Sequence, residues 1–304
     1  MLGSRVKKNI LITGGTGFIG KHLIKSMYRY NNFIYATYRN TPPEDSSDVV
    51  YIEIDLSDVV EIHKLFEKYH FDAVVHLAMH MKGSRISDYL QNSVLATKYL
   101  IEESEKSHVN TFILASSISV FGYVEGVVDE FSDRVNLDDY ATSKYICERM
   151  LEDSTIINRL SIRLPRMLGN GMDLSYPWIP AMIGKFIKGD EVTYFNPELL
   201  YNNMAHVSTL ADFVLMQIES EQNGYRLCTI GASEPLRVLE IVKLIKTGLN
   251  SKSVLKEKID NLPRNTCYLI DIRKACRMGY KPLSVIDTID LAVKDICMEH
   301  GING

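Results

Sequence analysis

A strand-like segment, a run of glycines and a helix-like segment follow one another at the start of this chain. Residues 9–13 (Asn-Ile-Leu-Ile-Thr) predict a short buried strand, and the spacing Gly14-x-x-Gly17-x-x-Gly20 follows at once. The first glycine permits a tight turn, the second lets a pyrophosphate approach the backbone, and the third lets helix and sheet pack closely. The phosphates then face the helix N-terminus, where N–H groups favour anions. The stretch therefore predicts dinucleotide binding, with an ordinary glycine-rich turn as the alternative.

Apolar strand patterns continue to alternate with helical patterns beyond this point. Further strands are predicted at 33–38, 49–54, 72–77, 111–116 and 156–164, and a long helix is predicted over 87–107. This alternation predicts an α/β fold in which residues 1–165 form a doubly wound parallel sheet.

From Pro165 onward, prolines, glycines and short mixed segments replace the regular alternation. Helical patterns recur at 179–187, 209–220, 236–249 and 285–298, and short strands are predicted at 192–195 and 226–230. We therefore expect residues 166–304 to form mainly a smaller C-terminal α+β lobe that binds substrate, with some segments returning to the sheet.

Composition and charge argue against several other classes of protein. The formal net charge of −4 provides no basic footprint for nucleic acid, and no apolar run reaches the ~18 residues of a membrane span. Five cysteines without C-x-x-C spacing predict reduced thiols in a cytoplasmic protein. The eight histidines form no Cys/His cluster, so we expect no metal site.

Tyr140 and Lys144 form a second informative pair, within Tyr-Ala-Thr-Ser-Lys. Residues four apart on a helix share a face, one turn from each other. A free tyrosine has a pKa of roughly 10, and a neighbouring ammonium lowers that pKa because it stabilises the phenolate. The pair therefore predicts a proton-transfer device, although a tyrosine and a lysine at this spacing are more often ordinary surface residues.

The ends of three predicted strands bear on the cofactor. The second strand ends in Tyr38-Arg39-Asn40, without the acidic residue that binds the ribose hydroxyls of NAD. In one interpretation Arg39 pairs with a 2′-phosphate, which favours NADP. In the other, Arg39 is an exposed loop arginine without a role in cofactor binding. Asp55 follows the third strand, where it meets an adenine amino group or serves as a turn residue. His76 lies near the end of the fourth strand and is interpreted as a packed strand residue more than as a base.

Taken in order, these segments resemble the extended short-chain dehydrogenase/reductase family, the NAD-dependent epimerase/dehydratase enzymes that act mostly on nucleotide sugars. The resemblance covers nearly the whole chain. It is carried by the glycine loop, Asp55-Leu56, His76-Leu77-Ala78, Ser116 to Gly122, Tyr140 to Lys144, 163–171, His206-Val207, 230–231, 235–245 and 271–282. It implies a Rossmann fold, NADP or alternatively NAD as cofactor, a nucleotide-sugar substrate, and a homodimer formed by the helices around 90–104 and 140–150.

The resemblance also implies a role for individual residues. Tyr140 becomes the general acid/base, and Lys144 holds the nicotinamide ribose and tunes Tyr140. Ser117 corresponds to the catalytic Ser or Thr, three residues before the Val of the family's V-Y-G. The implied cofactor contacts are Gly14, Gly17, Phe18, Ile19, Gly20, Tyr38, Arg39, Asp55, Leu56, Leu77, Ala78, Met79, Ser116, Tyr140, Lys144 and Leu164. The implied substrate contacts are Met81, Lys82, Ser117, Ser119, Arg166 and His206.

Departures from the family pattern bear on the substrate pocket more than on the cofactor site. This chain has Ser93 where the family has the Asn of its N-V-x-G-T motif, and Arg166 where the family has an Asn after strand six. It has Ser208-Thr209 where the family has the two aspartates of its H-V-D-D motif. The Asp-Glu pair with which 4,6-dehydratases eliminate water is Ile118-Ser119 here, which disfavours dehydration. The Cys of GDP-fucose synthase-like members is absent from 116–122, which disfavours that reaction as well.

Two enzyme activities then remain. A reductase would deliver hydride from NADPH to an NDP-4-keto-6-deoxyhexose, whereas a 4-epimerase would hold NAD tightly, oxidise C4 and reduce the other face of the ketone. Tyr38-Arg39 and the short chain favour the reductase. A third interpretation is a catalytically silent protein that senses NAD(P), which the presence of Ser117, Tyr140 and Lys144 disfavours.

Overall fold

The alternating segments build one seven-stranded sheet in the computed structural model, which describes residues 7–29, 32–43, 48–79, 84–259 and 268–302. The strands are β1 (Asn9–Thr13), β2 (Phe33–Tyr38), β3 (Val49–Glu53), β4 (Ala73–His76), β5 (Thr111–Ser117), β6 (Gly126–Val128), β7 (Asn158–Leu164), β8 (Arg166–Leu168), β9 (Val192–Phe195), β10 (Leu200–Tyr201), β11 (Met204–His206), β12 (Gly224–Thr229), β13 (Leu236–Arg237), β14 (Leu255–Lys258) and β15 (Tyr268–Ile270). The helices are α1 (Phe18–Tyr28), α2 (Val59–Lys68), α3 (Ile86–Tyr89), α4 (Ala96–Lys106), α5 (Asp139–Asp153), α6 (Ile179–Lys188), α7 (Val207–Glu219), α8 (Val238–Gly248), α9 (Arg273–Arg277) and α10 (Val285–His300).

The order of strands in the large sheet is β12-β7-β5-β4-β1-β2-β3. Strand β1 pairs in parallel with β2 and β4, β2 pairs in parallel with β3, and β4 pairs in parallel with β5. The order therefore reverses direction between β1 and β4, and in doubly wound sheets ligands bind at the carboxyl ends of the strands at such a point. The predicted α/β Rossmann fold is confirmed.

The strands at the centre of the sheet are covered on both faces. Every residue of β4 and β5 is buried, which explains why their apolar residues, 73–75 and 112–115, follow one another without polar alternation. One large cluster packs the sheet against neighbouring helices: Leu11, Val74, Phe112 and Leu114 with Ile62, Leu65, Phe66, Leu100, Cys147 and Leu151. This cluster packs α2, α4 and α5 against the sheet.

Local sequence patterns explain the buried face of α1 and the start of α2. Helix α1 buries Gly20, Leu23, Ile24 and Met27, a spacing of three and four that forms one stripe. Asp58 caps α2, as the sequence indicates, because its carboxylate accepts hydrogen bonds from the N–H groups of residues 60 and 61.

The helix predicted over 87–107 is divided by a change of pitch. Between α3 and α4, Leu90–Leu95 form a π-helix. The Thr97 hydroxyl donates to the Ser93 carbonyl at 2.7 Å, so a side chain competes there for a backbone acceptor. The predicted helix is present, and the π-helical turn within it was not predicted.

The chain divides into two units, each with its own contacts. The first unit comprises Met1–Gly122, Asn136–Arg163 and Ala211–Cys228. The second comprises Tyr123–Val135, Leu164–Leu210 and Thr229–Gly304, and it contains four two-stranded sheets: β10–β13, β11–β8, β14–β9 and β15–β6. The four helices predicted after Pro165 are present as α6, α7, α8 and α10. The assignment of 1–165 to cofactor binding and 166–304 to substrate binding stays a prediction.

Among the described residues, no helix is both long and apolar enough to span a bilayer. Nor does any group of three or more His, Cys, Asp or Glu side chains among them have the geometry to hold a metal ion.

Candidate active site

The glycine loop after β1 has the geometry that its spacing predicts. Gly14 has φ +70°, in the left-handed region that favours glycine. A Cβ on Gly20 would lie 2.3 Å from the Gly14 carbonyl oxygen, so only glycine fits where α1 meets the turn. Gly17 is the N-cap of α1 and has no side chain to occupy the helix end, and the first turn, Phe18-Ile19-Gly20, carries no acidic group. This cradle fits the pyrophosphate of a dinucleotide, because the first N–H groups of a helix have no partner within the helix and no carboxylate in this first turn competes for them.

A chain of buried hydrogen bonds joins Thr13, the residue before the glycine loop, to the end of β4. The Thr13 hydroxyl oxygen accepts from the N–H groups of Leu77 and Ala78, both at 3.1 Å, so its own proton goes to His76 Nδ1 at 2.7 Å. His76 then carries its proton on Nε2 and donates to Thr97 Oγ1 at 2.9 Å. Burial lowers the pKa of His76 to about 3, which keeps the ring neutral. His76 is therefore a packed residue that holds the segment after β4, as the sequence indicated.

We expect His76 to make the protein sensitive to acid. Its folded pKa lies below its unfolded value of about 6.5, so the unfolded chain binds the extra proton and stability falls as pH drops below 6.5 toward 3. Between pH 7 and pH 5 this one group should lower the free energy of unfolding by about 2 kcal/mol. Urea unfolding at the two pH values measures the change in wild type, in His76→Asn and in the exposed-site control His70→Asn.

The result expected for His76→Asn is a smaller loss of stability between pH 7 and pH 5 than in wild type or His70→Asn. An equal loss in all three proteins would show that another group takes up the proton.

Tyr140 and Lys144 lie on successive turns of α5. Asp138 caps this helix by accepting a hydrogen bond from the Ala141 N–H at 2.8 Å. Lys144 Nζ lies 5.8 Å from the centre of the Tyr140 ring and donates to the Ala115 carbonyl at 2.6 Å. Burial lowers the pKa of Lys144 to about 8, so its side chain stays mainly charged at pH 7. A buried ammonium thus lies beside a phenol, which is the arrangement that proton transfer requires.

Ser117 ends β5, on the strand that Lys144 contacts. Its hydroxyl oxygen accepts a hydrogen bond from the Ser119 N–H at 3.1 Å and lies 3.2 Å from Ser119 Oγ. Ser117 thereby caps the short 3-10 helix Ile118–Phe121, against which α5 packs. The cap fixes the position of the hydroxyl, while its assignment as a catalytic group stays a prediction.

Tyr89 contacts the Tyr140 ring, although no sequence pattern had singled it out. The two rings meet edge to face with their centres 6.0 Å apart, and Tyr89 is almost completely buried. The Tyr89 hydroxyl accepts a hydrogen bond from the Ser84 N–H at 3.2 Å. Tyr89 therefore restricts the orientation of the Tyr140 ring.

Arg39 follows β2 and contacts two oxygen atoms. Its Nη1 donates to Asn92 Oδ1 at 3.1 Å and lies 3.9 Å from Asp55 Oδ1. Asp55 also accepts from the N–H and hydroxyl of Ser57, and these bonds are the main reason that its pKa is lowered. Asp55 is thus a turn residue, as one interpretation had it, and also a counter-charge for Arg39. The guanidinium is half exposed, so it remains open to a ligand.

The other predicted contacts lie in three places. In the first unit, Phe18 and Ile19 open α1, Tyr38 ends β2, Leu56 follows β3, and Leu77, Ala78 and Met79 follow β4. Ser116 lies near the end of β5, and Ser119 lies in the 3-10 helix that follows it. Leu164, Arg166 and His206 belong to the second unit. Met81 and Lys82 lie outside the described residues.

Two of these residues have strong partners within the second unit. The Arg166 guanidinium lies 4.0 Å from the centre of the Tyr176 ring. His206 is buried, with Nδ1 2.7 Å from Ser208 Oγ and Nε2 3.1 Å from Asp295 Oδ2. The sequence gave no signal for the distant Asp295. The roles of Arg166 and His206 toward a substrate stay predictions.

Comparison with known proteins decides the family. A sequence model of the NAD dependent epimerase/dehydratase family matches residues 10–231. The chain belongs to this family. It is therefore an enzyme of the extended short-chain dehydrogenase/reductase type, as its motifs indicated, and its cofactor is a nicotinamide dinucleotide.

Individual relatives cover most of the chain at low identity. The dTDP-4-dehydro-6-deoxyglucose reductase of Escherichia coli is 24% identical over 95% of this chain and 98% of its own length. The UDP-glucose 4-epimerase of Erwinia amylovora is 27% identical over 77% of this chain and 81% of its own. Among solved structures, MoeE5 in complex with UDP-glucuronic acid and NAD superposes with a TM-score of 0.83 at 22% identity, covering 95% of this chain and 99% of that one. This last similarity supports the fold.

Proposed function

We propose that this enzyme reduces a nucleotide-activated 4-keto-6-deoxyhexose with NADPH. The observation that carries the proposal is Arg39, a half-exposed cation just past the end of β2, where NAD-dependent relatives would place a carboxylate. A guanidinium there suits the 2′-phosphate of NADPH through charge-assisted hydrogen bonds. The nearly full-length similarity to a dTDP-sugar reductase supports the same activity.

The residues of the chain supply the proton and its electrostatic support. NADPH supplies the hydride when bound. Tyr140 donates its phenolic proton to the sugar oxygen that becomes the new hydroxyl, and Ser117 donates a hydrogen bond to the same oxygen. The Lys144 ammonium stabilises the phenolate that Tyr140 leaves, by roughly 3 kcal/mol at an effective dielectric constant of 20 and a separation near 6 Å. Proton return from solvent then restores Tyr140 for the next turnover.

The substrate test is direct. Purified enzyme with NADPH and a dTDP- or CDP-4-keto-6-deoxyhexose should oxidise NADPH, followed by the loss of absorbance at 340 nm. The product should carry a hydroxyl at C4, which mass spectrometry detects as a gain of two hydrogens. Lack of NADPH oxidation, together with interconversion of UDP-glucose and UDP-galactose, would overturn the proposal.

A 4-epimerase with tightly bound NAD is the second candidate, and one contact favours it. The Asp55 carboxylate lies 3.9 Å from Arg39 Nη1 and already balances part of its charge, which suits an uncharged ribose better than a phosphate. Cofactor that copurifies with the protein separates the candidates, because tightly held NAD indicates the epimerase and exchangeable NADP indicates the reductase.

Arg39→Ala is expected to lower the preference for NADPH over NADH by about 10- to 100-fold in kcat/KM, since a hydrogen bond to a charged group contributes about 1.5–3 kcal/mol. NADH should be used as well as before, because it lacks the 2′-phosphate. Asn40→Ala, on the neighbouring exposed residue, is the control and should leave the preference unchanged. An unchanged preference in Arg39→Ala would show that Arg39 does not contact the phosphate.

A further inference from the structure

The α5 face that carries Tyr140 and Lys144 continues for one more turn to Glu148. Residues 140, 144 and 148 are each four apart, so their side chains lie on one side of the helix. Glu148 is a carboxylate with only 2% of its surface exposed. A charge buried this deeply is costly unless every oxygen is paired.

Three donors satisfy the Glu148 carboxylate. Ser116 Oγ donates to Oε1 at 2.5 Å. Arg163, fully buried on β7, donates from Nε to Oε1 at 3.0 Å and from Nη2 to Oε2 at 2.9 Å. This bidentate pairing fixes both the position and the orientation of the Glu148 carboxylate. The Ser116 hydroxyl, predicted to contact the cofactor, is held by Glu148.

The same ion pair holds the other end of the segment that contains Ser117. The Arg163 guanidinium lies 4.9 Å from the centre of the Phe121 ring, at the end of the 3-10 helix. Glu148 therefore holds residue 116 directly, and Arg163 holds residue 121. Ser117 lies between these two fixed points, one residue from the first.

We infer that Glu148 is a positioning residue for the reaction. Through Ser116 and Arg163 it fixes the 116–121 segment against α5, so that the Ser117 hydroxyl and the Tyr140 phenol converge on one substrate oxygen. The inference rests on the proposed function for the identity of that substrate, and on the contacts for the positioning itself. A misplacement of about 1 Å between reacting groups can lower a rate by 10²-fold. We therefore expect substitution of Glu148 to lower kcat and to leave KM little changed.

The first test uses Glu148→Gln and the milder Ser116→Ala, which removes one hydroxyl and leaves the ion pair intact. We expect kcat to fall about 10-fold in Ser116→Ala and about 100-fold in Glu148→Gln, and the NADPH dissociation constant of Glu148→Gln, read by fluorescence titration, to stay unchanged. Ser116→Thr keeps a hydroxyl and should retain most of the rate. Glu152→Gln is the control, because Glu152 lies one turn further along α5 in a surface ion pair with Arg149.

The second test needs no substrate. Amide hydrogen exchange read by mass spectrometry should become faster over residues 117–121 in Ser116→Ala and Glu148→Gln, while α5 keeps its protection. Unchanged exchange in both variants overturns the inference, as does faster exchange with kcat unchanged or with only KM altered. Wild type that fails to reduce a keto-sugar overturns the proposed substrate alone. The kcat comparison then uses interconversion of UDP-glucose and UDP-galactose, and the exchange result still decides whether Glu148 holds this segment.

Discussion

Tyr140→Phe is expected to lower kcat by about 10³-fold, the middle of the range for loss of a general acid. The substitution removes one oxygen atom and keeps the ring that packs edge to face against Tyr89. Lys144 keeps its hydrogen bond to the Ala115 carbonyl, so the cofactor side of the site is not disturbed. The defect should therefore appear in turnover, with NADPH affinity and the melting temperature close to those of wild type.

The matched control for this variant is Tyr145→Phe, which removes the same atom from the same helix five residues on. NADPH oxidation at 340 nm gives kcat for both variants, and fluorescence titration gives the NADPH dissociation constant. Retention of more than a tenth of the wild-type rate in Tyr140→Phe would show that the proton comes from another group. An equal loss in Tyr145→Phe would point to damage to α5.

The parts of the site that sequence reasoning identified are those encoded by short spacings. The glycine loop is a seven-residue pattern, and Tyr140 with Lys144 is a five-residue pattern, so one turn or one helical face defines each. Six strands of the large sheet follow from alternating apolar segments in the same way, whereas the seventh, β12, was predicted at 226–230 within the C-terminal lobe. Local spacing is enough in these cases because the contacting residues belong to one element or to adjacent elements.

The partners that were missed are distant in sequence. Arg163 lies 15 residues from Glu148, and Tyr89 lies 51 residues from Tyr140, so no periodicity within one element reveals either pair. Two weak signals were nevertheless present. Glu148 continues the four-residue spacing of Tyr140 and Lys144, and an arginine within the otherwise apolar end of β7 requires a buried counter-charge.

The second unit shows the same limit more strongly. His206 pairs with Asp295, 89 residues away, and the sequence placed neither in a pair. Helices α6, α8 and α10 of this unit were predicted because their apolar stripes are regular, whereas its strands are only two to four residues long. Strands this short carry few side chains in which a two-residue period can be recognised, and among the described strands of this unit 192–195 alone was predicted, as β9.

Gly20→Ala is expected to impair both folding and cofactor binding, whereas Gly17→Ala is expected to impair cofactor binding alone. At Gly20 the new Cβ would lie 2.3 Å from the Gly14 carbonyl oxygen and 2.8 Å from the Gly15 Cα. These are backbone atoms, so relief requires α1 to move away from the turn. We expect Gly20→Ala to lower the free energy of unfolding by about 3 kcal/mol, at the upper end for overpacking, and to abolish NADPH binding.

At Gly17 the nearest atom to a new Cβ is the Gly14 carbonyl oxygen at 3.3 Å, a contact that a small shift relieves. Gly17→Ala should therefore fold almost as stably as wild type. It should bind NADPH about 100-fold more weakly, because the methyl group occupies the space through which the pyrophosphate reaches the backbone.

Urea unfolding measures the stability of both variants, and fluorescence titration measures their affinity for NADPH. Gly184→Ala, in α6, is the control, since its Cβ would make only ordinary contacts at 3.4 Å and beyond. Wild-type affinity in Gly17→Ala would show that the dinucleotide does not approach this loop, and wild-type stability in Gly20→Ala would show that α1 yields to the methyl group.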